Sequence, residues 1–115
     1  MANTFKVVTK AGVTTLDVIY TVAGSTTTVI LGLVLGNTTT SQVTATVTLN
    51  TDTGSRSGAN NEANQAVELI TNAPIPAGSS LELLAGNKVV LEATDEIKVS
   101  ASGATDVCLS IMEID

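Results

Sequence analysis

Aromatic residues and histidine are almost absent from this sequence, and each shortage excludes a class of function. Phe5 and Tyr20 are the only aromatic residues, so the chain has little material for stacking nucleic-acid bases or sugars. Histidine does not occur at all. The usual general base, the Ser-His-Asp and Cys-His arrangements and histidine-ligated metal sites are therefore excluded.

Cysteine occurs once, so no disulfide can form within the sequence. Cys108 lies in the apolar stretch Val107-Cys108-Leu109, and no base or positive charge is near it along the chain. A reactive thiol needs such a neighbour. We therefore expect Cys108 to be a buried, small apolar residue.

Charge is also scarce. Charged residues make up 14% of the chain, against about 25% in typical soluble domains. The net charge is −6, and the five basic residues form no cluster. Nucleic-acid binding needs a basic patch, so we expect no nucleic-acid partner. A weakly charged surface rich in Thr, Ser, Asn and Gly suits a protein that packs beside other proteins.

Signals for membranes and secretion are lacking. The longest apolar run, residues 29–35, is far shorter than the about 20 residues of a membrane-spanning helix. No apolar region follows the N-terminal residues as it does in a signal peptide. We therefore expect synthesis in the cytoplasm and no membrane partner. Asn37-Thr38-Thr39 matches the N-glycosylation pattern, but without a secretory signal we interpret it as a turn.

The sequence is instead rich in β-branched residues and turn residues, which favour strands. Residues 43–49 alternate strictly between apolar residues and threonine, and residues 26–36 are apolar on both faces. Near Gly32 and Gly36 we expect a bulge or a close neighbouring backbone. Ala11-Gly12 is interpreted as the turn between the first two strands, and residues 74–78 as a rigid connector. The predicted strands are 5–9, 16–22, 26–36, 43–49, 67–73, 80–84, 88–91, 96–101 and 106–114.

About nine short strands with turn residues between them predict one all-β domain over residues 1–115. The expected architecture is an antiparallel two-sheet sandwich, similar to a jelly roll. The polar, glycine-bearing segment 50–64 interrupts the pattern and is predicted to be a long loop. We expect this loop to become ordered on a partner, with Asp52, Arg56, Asn60 and Asn61 as candidate contact residues.

Carboxylates are the remaining candidates for chemistry. Glu92, Asp95 and Glu96 lie close together, and paired carboxylates can hydrolyse glycosides or bind Ca²⁺. An acidic turn explains them better, with Asp95 shaping the turn and the two glutamates pointing outward, because acidic turns are common and no Asx-rich calcium loop is present. We therefore predict no catalytic residue, no metal and no cofactor, and we expect that the protein is not an enzyme.

Two segments resemble a known class of proteins. Residues 75–81 read I-P-A-G-S-S-L and are followed by L-E-x-x-D-x-I-x-V at 91–99, while residues 23–26 read A-G-S-T between two strands. Residues 74–114 and 18–30 thus resemble small virion structural proteins of tailed bacteriophages, including marine and cyanobacterial ones. The resemblance implies a capsid decoration (cement) subunit, often a trimer, that binds the major capsid protein or other virion proteins. A neck, tail or fibre component is the alternative within this class.

Several apolar residues point away from the expected core. With Val107, Leu109 and Ile111 on one face of the last strand, Met112 and Ile114 fall on the other. Exposed apolar patches usually mark interfaces, so we predict a self-associating subunit. The resemblance implies that this subunit is located in the virion. A small carbohydrate-binding β module is the alternative outside this class. The apolar interface candidates are Ile19, Leu84, Met112 and Ile114.

Overall fold

The computed structural model describes residues 3–51, 65–83 and 88–114. Within these ranges there is no helix, and hence none that could cross a membrane. The structure is built from nine strands: β1 (Asn3–Val13), β2 (Asp17–Thr21), β3 (Thr27–Asn37), β4 (Val43–Thr51), β5 (Gln65–Ile75), β6 (Ser80–Leu83), β7 (Val89–Leu91), β8 (Glu96–Ala101) and β9 (Thr105–Ile114).

The strands form two antiparallel sheets. Sheet I has the order β1-β9-β3-β6, with β7 also paired to β3, and sheet II has the order β2-β8-β4-β5. Because β6 and β7 pair with different parts of β3, they together occupy the position of one strand. When β6 and β7 are counted as one strand, the two four-stranded sheets have the strand order of a jelly roll, in which most connections cross between the sheets. The predicted fold is confirmed.

The core between the sheets is aliphatic, because the sequence offers just two aromatic residues. Sheet I contributes Ile30, Leu33 and Leu109, and sheet II contributes Ile97 and Val99, all of them almost fully buried. Burying each such side chain stabilises the fold by roughly 1.5–3 kcal/mol.

The predicted bulge near Gly32 is confirmed. The pairing of β3 with β9 shifts between Ile30 and Gly32, which inserts one extra residue into β3. Ile30 and Leu33 therefore both point inward although they are three positions apart.

The predicted turn at Ala11-Gly12 is wrong. β1 continues to Val13, and β2 lies in the other sheet. Gly12 has a φ of 66° and lies where the pairing of β1 with β9 shifts, and its backbone N–H donates to Asp106 Oδ1 at 2.9 Å. A glycine with positive φ serves a bulge as well as a turn, and the sequence does not distinguish the two.

Two further boundaries differ from the prediction. Pro74 and Ile75 belong to β5 rather than to a connector, because β5 is an edge strand of sheet II and an edge tolerates proline. β4 continues through Asn50 and Thr51, so the first two residues of the predicted loop are strand. The rest of the loop, residues 52–64, lies outside the described residues.

Candidate functional site: the outer face of sheet I

A row of apolar side chains crosses the outer face of sheet I. Phe5 pairs with Met112, Met112 with Val29, and Val29 with Val90. Directly paired residues in antiparallel strands point to the same face, so these four side chains, here called the apolar row, lie side by side. Phe5 is 70% exposed and Val90 58% exposed. The two residues between them are half-buried.

Two further rows follow along the strands. The central row consists of Val7, Ser110 and Gly32, and the groove row of Thr9, Cys108, Val34 and Glu82. On the two inner strands, β9 and β3, the residues of the central row are Ser110 and Gly32, which have a small side chain and none. Within the described strands the charged residues on this face are Glu82 and Asp106, both acidic and both toward the same end of the sheet.

A groove opens at that end between β1, β9 and β3, with a volume of about 340 Å³. It is lined by Thr9, Lys10, Ala11, Val34, Gly36, Asp106, Val107 and Cys108. Gly36 leaves the β3 part of the floor without a side chain. The groove is therefore a mainly apolar depression on the same face that carries the protruding Phe5.

Cys108 lies in this groove and is exposed, so the prediction of a buried cysteine is wrong. Its sequence neighbours Val107 and Leu109 are the residues that enter the core. Because side chains alternate along a strand, the apolar neighbours of Cys108 in the sequence place it on the opposite, outer face.

The apolar interface candidates have different outcomes. Met112 and Ile114 lie half-buried on the outer face of sheet I. Ile19 does not point outward: it is 9% exposed and packs in the core. A bulge between Val18 and Tyr20 changes the alternation there, and Val18 points outward instead.

The remaining interface candidates cannot be placed. Leu84 and the four polar candidates of the predicted loop, Asp52, Arg56, Asn60 and Asn61, lie outside the described residues.

Phe5 and Val7 were missed, because the alternation in β1 is misleading. Lys6 and Lys10 pair with the inward-facing residues Ile111 and Val107, so the lysines lean toward the inner side at the sheet edge. There Lys6 Nζ lies 2.8 Å from a carboxylate oxygen of Glu113, and Lys10 Nζ lies 3.8 Å from Asp17. Inward-leaning charges are a known feature of edge strands.

The outer face of sheet II has the opposite character. Its strands place Val18, Lys98, Thr48 and Glu68 in one row, and Thr21, Glu96, Asn50 and Ala66 in another. Lys98 Nζ lies 3.7 Å from Glu96, whose other carboxylate oxygen accepts the Thr21 hydroxyl at 3.3 Å. This face is a hydroxyl-rich and charged surface suited to water.

Tyr20 ties the two sheets together. Its hydroxyl donates to Glu113 Oε2 at 2.6 Å and lies 2.8 Å from the Thr28 hydroxyl. Burial, and then the hydrogen bond to Glu113, raise the pKa of Tyr20 to about 12. The hydrogen bonds from Lys6 and from Tyr20 lower the pKa of Glu113. The hydroxyl of Tyr20 thus has both of its hydrogen-bond partners within the sandwich.

The acidic turn has the predicted form. Asp95 is 1% exposed, its Oδ2 accepts the Glu92 backbone N–H at 2.9 Å, and its own N–H donates to the Glu92 carbonyl at 3.1 Å. These two bonds close the turn between β7 and β8. Within the described ranges no three potential ligands (His, Cys, Asp or Glu) gather in a group that could hold a metal ion.

Asn37 closes the turn that follows β3, as interpreted from the sequence. It is almost fully buried, and its side-chain amide donates to the carbonyl oxygens of Ser41 and Ile75, each at 2.9 Å. Its Oδ1 accepts the Thr39 backbone N–H at 2.8 Å. Both ends of the side chain therefore have protein partners.

Comparisons with known proteins assign no family to the chain. No protein-family model and no curated protein matches it. A solved structure described as "Bacillus endospore appendages form a novel family of disulfide-linked pili" is similar with a TM-score of 0.44 and 17% sequence identity, over 96% of this chain and 85% of that chain. A likeness at this level assigns no function.

Proposed function

We propose that this chain is a structural subunit of a larger protein assembly, which it joins through the outer face of sheet I. The observation that carries the proposal is the apolar row, which crosses a face whose described strands hold just two charged residues. The inward faces already supply the core, so this row is not needed between the sheets. Contiguous exposed apolar surface of this kind marks interfaces.

The assembly we propose is the virion of a tailed bacteriophage, with the chain as a capsid decoration subunit. The resemblance of residues 74–114 and 18–30 to such proteins supports this proposal, as does the low charge of the chain. Its partners are then the major capsid protein or other virion proteins, together with copies of itself, for which the resemblance implies a trimer. A neck, tail or fibre position is the alternative within the virion. The role requires neither catalysis nor a cofactor.

The test compares purified phage particles made with and without this protein by cryo-electron microscopy. We expect the particles lacking it to lose density on the outside of the capsid shell. Adding back purified protein restores that density, whereas a Val90→Glu variant, altered in the apolar row, restores less. Val18→Glu on the outer face of sheet II is the matched control and binds like the wild type.

Loss of density at the neck, tail or fibres would support the alternative virion position. Particles that are identical with and without the protein would contradict a virion role. A positive glycan array in that case would favour the carbohydrate-binding alternative.

A further inference from the structure

We infer that the outer face of sheet I binds a second copy of this chain, face to face about a two-fold axis, with Phe5 of each copy in the groove of the other. The inference rests on the proposed function, because it names one partner of the same surface, and it replaces the trimer that the resemblance implies with a two-fold pair. It is supported by four properties of the face: the spacing of its rows, the match of its shapes, the distribution of its charges and its area.

The spacing of the rows is self-complementary. The apolar row and the groove row lie on either side of the central row, so Phe5 and Thr9 are four residues apart on β1, or about 13 Å at the usual strand rise. A two-fold axis along the central row therefore places the apolar row of each copy over the groove row of the other. A symmetric dimer requires a face that matches itself in this way.

The shapes at the two positions also match. Phe5 protrudes from one end of the face, and the groove of about 340 Å³ opens at the other end, above the bare backbone of Gly36. Ser110 and Gly32 on the axis add little bulk, so the two sheets can approach to the roughly 10 Å spacing of packed sheets. Phe5 of each copy then enters the groove of the other copy.

The charges of the face favour an uncharged partner surface. By the strand pairings, Lys6 and Lys10 lean to the inner side of the sheet, although Lys10 borders the groove. The acidic residues Glu82 and Asp106 lie toward the groove end. In the two-fold arrangement the two copies of Asp106 lie at opposite ends, about 26 Å apart along the strand direction. That distance exceeds the roughly 8–10 Å over which salt screens charges, so these two carboxylates repel each other little.

The area of the face is sufficient for a stable pair. Four strand positions about 4.8 Å apart and about 33 Å long give each copy a face of about 600 Å². Two copies together bury about 1,200 Å², the lower end of the range for specific interfaces. A dimer of moderate affinity is therefore expected.

The first test is the solution mass of the full chain, measured by sedimentation and light scattering up to high micromolar concentration. We expect a dimer. Ser110→Glu places two carboxylates against each other on the axis and should give a monomer. Ser100→Glu makes the same change on the middle of the outer face of sheet II and should leave the dimer intact. Phe5→Ser should weaken association roughly 30-fold or more, as removal of an aromatic anchor buried in a partner's pocket does.

The second test uses Cys108 as a probe in the unmodified protein. It is exposed in a single copy and is covered by the apolar row of the partner in the proposed dimer. The rate of its reaction with a bulky thiol reagent should fall as the protein concentration rises through the range in which the mass doubles. In Ser110→Glu the rate should stay high at every concentration. Circular dichroism of each variant confirms that it is folded.

Four results would overturn the inference: a monomer at the highest concentration, a trimer, a dimer that persists in Ser110→Glu, or a Cys108 that reacts equally fast in monomer and dimer. None of them bears on the particle density that tests the proposed function. A monomer that still adds density to particles would refute only the dimer. A dimer that adds no density would refute only the virion role.

Discussion

The outer faces of the two sheets differ far more than the inner faces do. Both inner faces supply Ile, Leu and Val to one aliphatic core. Outside, sheet I presents the apolar row, whereas sheet II presents a row containing Lys98, Thr48 and Glu68. The fold requires the inner faces alone. The outer faces are therefore free to serve other roles, one facing water and the other, we propose, facing protein.

Two central strands show how the sequence encodes this difference. β4 alternates between apolar residues and threonine, so its outer side is polar, whereas β3 reads V-I-L-G-L-V-L and is apolar on both sides. The sequence pattern of β3 predicts a strand covered on two faces. The sandwich covers one of them, and the other is left partly exposed at Val29 and Val34.

The largest expected effect is the difference in stability loss between a substitution on the inner side of β9 and one on its outer side. Leu109→Ala removes a fully buried side chain and should lower the free energy of unfolding by about 2–5 kcal/mol. Met112→Ala, in the apolar row of the same strand, should lower it by less than about 1 kcal/mol in the monomer. Urea unfolding, at a protein concentration too low for association, measures the loss of unfolding free energy in both variants. Equal losses would mean that the outer face of sheet I stabilises the fold itself.

The second effect concerns association. Replacing Met112 and Ile114 by Ser and Thr removes apolar surface from the outer face of sheet I and should weaken self-association about tenfold or more, with little change in stability. Val18→Thr on the outer face of sheet II should change neither self-association nor stability. Sedimentation at micromolar concentration measures all three proteins. If the double variant associates like the wild type, the contact lies on another surface.

Much of this architecture follows from the sequence, because it depends on local pattern. The strand positions were predicted from alternation and turn residues, and a bulge near Gly32 was one of two features expected from the glycines of β3. The orientation of Met112 and Ile114 was also predicted, since both lie on one regular strand with Leu109.

The outward position of Phe5 could not be predicted, because it depends on pairing between distant parts of the chain. Phe5 alternates with Lys6, and a lysine usually points to water. Here Glu113, on the opposite end of the chain, holds Lys6 toward the inner side, and Phe5 is left outside. Ile19 was misplaced for a related reason, since a bulge in the pairing of β2 with β8 turns it inward.

The third effect concerns the tie between the sheets. Tyr20→Phe removes the hydrogen bonds to Glu113 and Thr28 and should lower the free energy of unfolding by about 1–2 kcal/mol. Association should not change, because this hydroxyl lies between the sheets and on neither outer face. A loss of association equal to the loss of stability would show that the outer face of sheet I depends on this tie.

The same tyrosine predicts an alkaline titration that is simple to observe, because the sequence has a single tyrosine. Its pKa is raised from 10.0 to about 12 in the folded protein. The stabilisation that goes with this shift is complete below pH 10 and is lost as the pH rises from 10 toward 12. Phenolate absorbance should rise near pH 12 in the native protein and near pH 10 in urea. A native midpoint near 10 would mean that the Tyr20 hydroxyl is neither buried nor bonded to Glu113.

The smallest effect lies at the acidic end of the pH range. The hydrogen bonds from Lys6 and Tyr20 lower the pKa of Glu113 below its ordinary value of 4.5. A carboxyl whose pKa is lowered by folding stabilises the native state above its unfolded pKa, and this contribution is lost as the pH falls below 4.5 through the folded value. Lys6 is half-exposed, so its ion pair contributes less than about 1 kcal/mol.

Glu113→Gln isolates this contribution. The gap in unfolding free energy between wild type and variant should be widest near neutral pH and should shrink below pH 4.5, where the wild-type carboxyl becomes protonated. Glu82→Gln, on the outer face of sheet I, is the control for removing a carboxylate that has no such partners. A gap for Glu113→Gln that stays constant from neutral to acidic pH would contradict the lowered pKa. In a further outcome, the gap for Glu113→Gln shrinks while both variants keep the same dimer mass at neutral pH. That result would mean that the bonds between the sheets and the association through the outer face of sheet I are independent.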